Sequence, residues 1–201
     1  FDLYIDTRNI APPQKKIVKE TIPYKNGAYD FSYIGGEAFY EETTLTYTFD
    51  VVGEDIEQMQ QNKDRFVDWL YSIQQTKIYD DYMPGYYYEG SIDSIGWSED
   101  GAQGQLTATF SVYPYRLAEE PTVGIFTIEG EGIVQIENTG SHKVIPTLDA
   151  DGQYTVVKGA RSASYGAGGV SPAWLALERG LNEWVVQGDI ELVVSYRKEV
   201  L

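Results

Sequence analysis

Thr44-Leu45-Thr46-Tyr47-Thr48-Phe49-Asp50-Val51 opens the stretch that decides the fold, which continues to Arg116. Leu45, Tyr47, Phe49 and Val51 alternate there with Thr44, Thr46, Thr48 and Asp50. Successive side chains of a strand point to opposite faces, so this spacing predicts a half-buried strand. The period then changes. Ile56, Met59, Phe66, Trp69, Leu70 and Ile73 recur at helical spacing on an otherwise charged segment, which predicts one amphipathic helix. Its start falls near Gly53-Glu54-Asp55, with Glu57 close behind, because the positive end of a helix dipole favours carboxylates. Its end falls near Gln74-Gln75. Alternation resumes at Tyr86-Tyr87-Tyr88-Glu89 and again over Leu106–Val112. The stretch reads as an antiparallel β domain with a single embedded helix.

Working outward, Leu3-Tyr4-Ile5-Asp6 is a short strand, and Ala11-Pro12-Pro13 interrupts any ladder because proline has no N–H to donate. Lys15–Ile22 is extended. Asn26-Gly27 tolerates positive φ and predicts a hairpin, after which Tyr29, Phe31 and Tyr33 alternate as far as Gly35-Gly36. Pro84-Gly85 and Glu99-Asp100-Gly101 mark turns. Leu117–Thr122 reads as a linker, polar and ended by proline. Beyond it, the segments around Gly130-Glu131-Gly132 predict a hairpin, and Asp149–Gly152 a turn between two strands. A glycine-rich loop, Gly166–Gly169, precedes a last pair, Trp184–Val186 and Ile190–Tyr196. The expected fold is mainly β: an N-terminal β-sandwich over residues 1–118, with one α-helix and a β-hairpin, then a smaller β-sandwich over 119–201.

The chain has 201 residues, of which 14% are aromatic, including 17 Tyr and 4 Trp; these types suit strands and contact surfaces. With no Cys, a disulfide, a thiolate metal site and a Cys nucleophile are all excluded. A formal net charge of −16 repels nucleic-acid phosphates and anionic membrane surfaces alike. No apolar run approaches the length of a membrane span.

Catalytic equipment is sparse. His142 is the single histidine, and it sits in a polar loop, Asn138–Lys143, so a solvated loop residue is preferred over a triad member or metal ligand. Asp80-Asp81 and Asp149/Asp151 offer carboxylate oxygens to a hard cation, but the spaced glycine and distal Glu of a calcium loop are missing, which favours turns. Glu41-Glu42 and Glu119-Glu120 are adjacent in sequence and would point to opposite faces of a strand, which rules against a glycosidase acid pair. The Gly166–Gly169 loop lacks the Lys-Ser/Thr ending of a phosphate cradle. No catalytic, cofactor-binding or metal residue is assigned. What is left is the cluster Tyr79, Tyr82, Tyr86, Tyr87 and Tyr88, which could form a subunit interface, a sugar platform or cross-strand core pairs.

Ile22–Ser32, the strand running to Val51-Val52-Gly53, Phe66–Leu70 followed by Lys77–Asp81, Tyr86–Ile92 and Phe110–Tyr115 come in an order that resembles the N-terminal domain of siphophage distal tail proteins. Asn138-Thr139-Gly140, Ile145–Leu148 and Gly180–Trp184 are similar to that family's galectin-like C-terminal β-sandwich. The resemblance implies a non-enzymatic structural component of the tail tip of a phage or prophage, a baseplate hub made in the cytoplasm of the bacterial host. It implies a ring, typically a hexamer, built by the N-terminal domains. That ring joins the tail tube protein to the tail-tip protein, and its rim takes receptor-binding proteins. A ring needs head-to-tail contacts, which edge strands and exposed aromatic faces supply. An acidic lumen would let DNA pass where a basic wall would hold it. A carbohydrate-binding module using the tyrosines is the alternative reading, and a glycoside hydrolase a third.

Overall fold

A computed structural model describes residues 3–33 and 37–201. The break expected at Gly35-Gly36 lies outside the described residues. The chain divides into two compact units: residues 1–79, 88–114 and Leu201 form the first, and residues 80–87 and 115–200 the second.

The first unit contains β1 (Leu3–Ile10), the short pair β2 (Lys19–Glu20) and β3 (Tyr29–Asp30), β4 (Thr43–Val52), α1 (Ile56–Ser72), β5 (Thr76–Tyr79), most of β6 (Tyr86–Asp100) and β7 (Gln103–Val112). Its sheet runs β1-β4-β7-β6, all antiparallel, with β5 paired to β6. The β4–β7 register sets Leu45 opposite Phe110 and Phe49 opposite Leu106. Leu45, Tyr47 and Val51 are therefore buried on one face with Leu106, Ala108 and Phe110, as alternation requires.

The helix begins one residue after Asp55, whose carboxylate accepts from the Gln58 N–H at 2.8 Å. Asp55→Ala removes this cap and costs about 1 kcal/mol, which a lower urea midpoint at unchanged slope will show. Gly53 is required by space at this entrance: a Cβ there would lie 2.4 Å from the Met59 backbone nitrogen. Met59, Phe66 and Leu70 are buried, but Ile56 and Trp69 from the same apolar stripe are 59% and 52% exposed. The stripe is wider than the surface that covers it.

The hairpin expected at Asn26-Gly27 forms, with Lys19 opposite Asp30 and Glu20 opposite Tyr29, but the ladder is only two residues long. Its connection is a wide loop rather than a two-residue turn. The Lys25 N–H donates to the Ile22 carbonyl at 3.2 Å, and Tyr24 (φ 68°) and Gly27 (φ 82°) both take left-handed backbone.

The second unit holds β8 (Arg116–Ala118), β9 (Thr122–Ile128), β10 (Glu131–Asn138), β11 (Thr147–Ala150), β12 (Tyr154–Lys158), β13 (Arg161–Tyr165), β14 (Gly168–Val170), β15 (Gly180–Gln187), β16 (Ile190–Tyr196) and β17 (Glu199–Val200). Two four-stranded sheets, β10-β15-β12-β13 and β14-β11-β16-β9, enclose one core around Val134, Leu148, Val156, Trp184, Val186 and Leu192. This is the smaller β-sandwich expected at the C-terminal end of the chain. Of the expected linker, Leu117 and Ala118 lie in β8, which pairs with Tyr86-Tyr87 on one side and Glu199-Val200 on the other, and Thr122 opens β9.

The hairpin expected around Gly130 is overturned. β9 and β10 lie in different sheets, so the tight turn at Gly130 (φ 71°) carries the chain from one layer to the other. The strands on either side of Asp149–Gly152 and the last pair, β15 and β16, do the same. Burial explains the pattern, because the inward residues Ile128, Val134, Trp184 and Ile190 meet in the shared core.

Candidate functional site: contact surfaces of the two units

None of the chemically suggestive residues is gathered into a reaction centre. His142 is half-buried, and its ring stacks on Tyr115 with centroids 4.9 Å apart. Asp80 is buried and accepts from the Tyr82 N–H at 3.0 Å, a turn contact. Asp151 likewise accepts from the Glu191 N–H at 3.0 Å. Among the described residues, no group of three or more His, Asp or Glu could hold a metal ion. Part of the glycine-rich loop, Gly168 and Gly169, is spent on pairing with Ala150 and Asp149.

The five tyrosines are split. Tyr79 and Tyr88 belong to the first unit, and Tyr82, Tyr86 and Tyr87 to the second. Tyr79 and Tyr82 are exposed, whereas Tyr87 and Tyr88 are each 5% exposed. In the second unit, the Arg116 guanidinium and the Lys198 ammonium lie 5.9 and 5.8 Å from the Tyr86 ring centre, and Arg197 lies 5.6 Å from that of Tyr87. Such cation–ring contacts fix the rings in place.

Three surfaces that sequence reading had not singled out stand on the first unit. One is an open apolar cleft of about 420 Å³ beside α1, lined by Leu3, Phe49, Phe66, Trp69, Ile73 and Tyr79. It is the uncovered part of the sheet face on which the helix lies. The second is a cleft of about 490 Å³ at the ends of β4, β6 and β7, where Asp50, Glu99 and Asp100 gather beside Tyr4. Here the Trp97 indole N–H donates to Glu99 at 2.9 Å, with Gln60 as a second donor, and these bonds hold the Glu99 carboxyl below its usual range. Gly104 makes room for that indole: a Cβ at this position would sit 1.9 Å from the Trp97 ring. Gln105 ties Asp6 to Asp50, at 3.1 and 3.3 Å.

The third surface is the β2–β3 hairpin itself, which exposes Ile17, Ile22, Tyr24, Tyr29, Phe31 and Tyr33. It is also where lysines concentrate, with Lys15, Lys16, Lys19 and Lys25 inside eleven residues of a strongly acidic chain. That run was the signal in the sequence that could have marked it.

In the second unit, Tyr154 is buried with its hydroxyl lacking a hydrogen-bond partner among the described residues, and desolvation, with Tyr165 and Asp149 adding to it, pushes its phenol from 10.0 up to about 12. The folded value is raised, so this stability is complete below the unfolded value and is lost as pH rises through about 12. An ultraviolet titration will contain a component ionising near 12, and Tyr154→Phe will delete it.

Fold and surfaces together define a class: a two-unit β protein whose described features are faces for contact. The model of the phage tail protein RIFT-related domain family matches residues 3–112. That is more than half of the chain, and the chain belongs to this family. Among solved structures, the chain is similar to the crystal structure of SPP1 Dit (gp 19.1), a paradigm of the hub adsorption apparatus in phages that infect Gram-positive hosts. The TM-score is 0.72 at 13% identity, covering 97% of this chain and 93% of that one, so both units share its fold. No curated protein matches the chain.

Proposed function

We propose that this phage tail protein is a distal tail, or baseplate hub, component whose copies close head to tail into a ring, six to a turn as the family resemblance implies. Likeness to a hub protein across both units, added to family membership over the first, supports this most strongly. The first unit builds the ring and the second projects from it. The ring joins the tail tube protein to the tail-tip protein, and its rim takes receptor-binding proteins. The work is mechanical, with no substrate turned over.

Surface composition supports the reading. β1 ends the sheet, and its Tyr4 and Ile5 are 65% and 63% exposed. An exposed apolar edge strand is costly to leave in water and invites pairing. A sugar platform gains nothing comparable, because two of its five tyrosines are buried.

Sedimentation of the purified chain over a range of concentrations tests the proposal. One assembled species of fixed mass, formed cooperatively, is expected. A monomer at every concentration, or an open-ended ladder of masses, would contradict it. Antibody labelling of intact tails should decorate the distal end alone.

A further inference from the structure

The proposed ring leaves open which surfaces meet, and the following inference rests on that reading. We propose that the lysine-bearing hairpin of one copy docks on the acidic cleft of the next.

The two surfaces carry opposite charge. A ladder of two residues per strand is too short to be stable alone, yet its Ile17, Ile22 and Tyr24 are 70%, 50% and 110% exposed. Several exposed apolar residues grouped on one short hairpin point to a contact surface. Around these residues stand Lys15, Lys16, Lys19 and Lys25, with Glu20 and Asp30 the only acids between Gln14 and Tyr33. The chain as a whole carries a net charge of −16, so a basic surface finds its complement on another copy of the chain itself. The cleft supplies that complement in Asp50, Glu99 and Asp100, with exposed Tyr4 at its wall and Ile5 following in β1.

Topology makes the contact intermolecular. The hairpin is rooted at the start of β4: the Ala11 N–H donates to the Thr44 carbonyl at 3.0 Å, and Lys15 bridges Tyr40. The cleft lies at the other end of β4, at Asp50 to Val52. Six residues of strand separate Thr44 from Asp50, about 20 Å. No described hairpin residue lines the cleft of its own chain. Donor and acceptor surfaces at opposite ends of one strand give a head-to-tail contact, the kind that closes rings. The lysines add register and encounter rate, while the apolar residues give the buried area.

The absence of native cysteine allows a clean test. Two full-length variants, Tyr24→Cys and Asp100→Cys, are mixed and treated with a short bis-maleimide, and rings are scored in parallel by electron microscopy. The proposal predicts a cross-linked dimer in the mixture and none with either variant alone. The dimer is lost in high salt. It is also lost when the Tyr24→Cys chain carries Lys15→Glu, Lys19→Glu and Lys25→Glu, and is restored when the Asp100→Cys chain carries Asp50→Lys and Glu99→Lys. Circular dichroism of each variant confirms folding. Rings without the mixed cross-link, or a Tyr24→Cys chain that cross-links to itself, overturn the docking and leave the ring intact, with another tail protein then the candidate occupant of the cleft. A cross-link that follows the charge swaps without rings upholds the docking and overturns the ring. Neither cross-link nor ring overturns both.

Discussion

Phe66→Ala destabilises the first unit by about 3–5 kcal/mol, the range for emptying a buried aromatic site. Phe66 is 4% exposed and is the pivot of the helix–sheet contact. Its ring meets Phe49 edge-on at 5.1 Å and stacks on Trp69 at 5.7 Å, pairs worth about 0.5–1.5 kcal/mol each beyond the area they bury. Truncation removes both pairs and leaves a void. Trp69 offers the control, since it is 52% exposed, and Trp69→Ala should cost far less. Urea unfolding of the two variants separates them. Equal losses would mean that α1 is held on the sheet by its outer edge rather than by Phe66.

Trp184→Ala costs the second unit about 3–5 kcal/mol for the same reason. Trp184 is 2% exposed in the core between the two sheets, and Val134 lies opposite it on β10. Its indole N–H has no hydrogen-bond partner among the described residues. A buried donor left unpaired is a standing penalty, so Trp184→Phe, which removes the donor and keeps most of the ring volume, should lose much less than Trp184→Ala. Thermal unfolding of both variants checks the ordering. If Phe is as damaging as Ala, shape at this position outweighs burial.

Local periodicity made the first unit readable. Thr44 to Val51 and Leu106 to Val112 each bury one side of a sheet, and the helix between them is amphipathic, so alternation and helical spacing both show in the chain. The second unit was legible as a small β-sandwich of strands and turns, but not in which sheet each strand joins. Gly130 and the Asp149–Gly152 segment announce reversals correctly, but a reversal does not say whether the next strand joins the same sheet or the opposite one. That choice is made by long-range packing of residues such as Ile128, Val134 and Ile190. Residues 80–87 count with the second unit because Tyr86 and Tyr87 pair with Leu117 and Ala118, contacts separated by some thirty residues of chain.

The contact surfaces were harder still. The acidic cleft draws Tyr4, Asp50, Glu99 and Gln105 from four strands, so no window of sequence contains it. The exposure of Trp69 could not be inferred from spacing, which assigns it to the same stripe as buried Leu70. The lysines of the hairpin, by contrast, were in plain view, and their grouping in an acidic chain was the missed signal.

Negative-stain electron microscopy of the purified full-length chain, at the concentration where sedimentation shows assembly, is the most direct test of the account. Closed rings of one diameter, with the second units as outward lobes, are the predicted result. Single particles or open filaments in their place would contradict it.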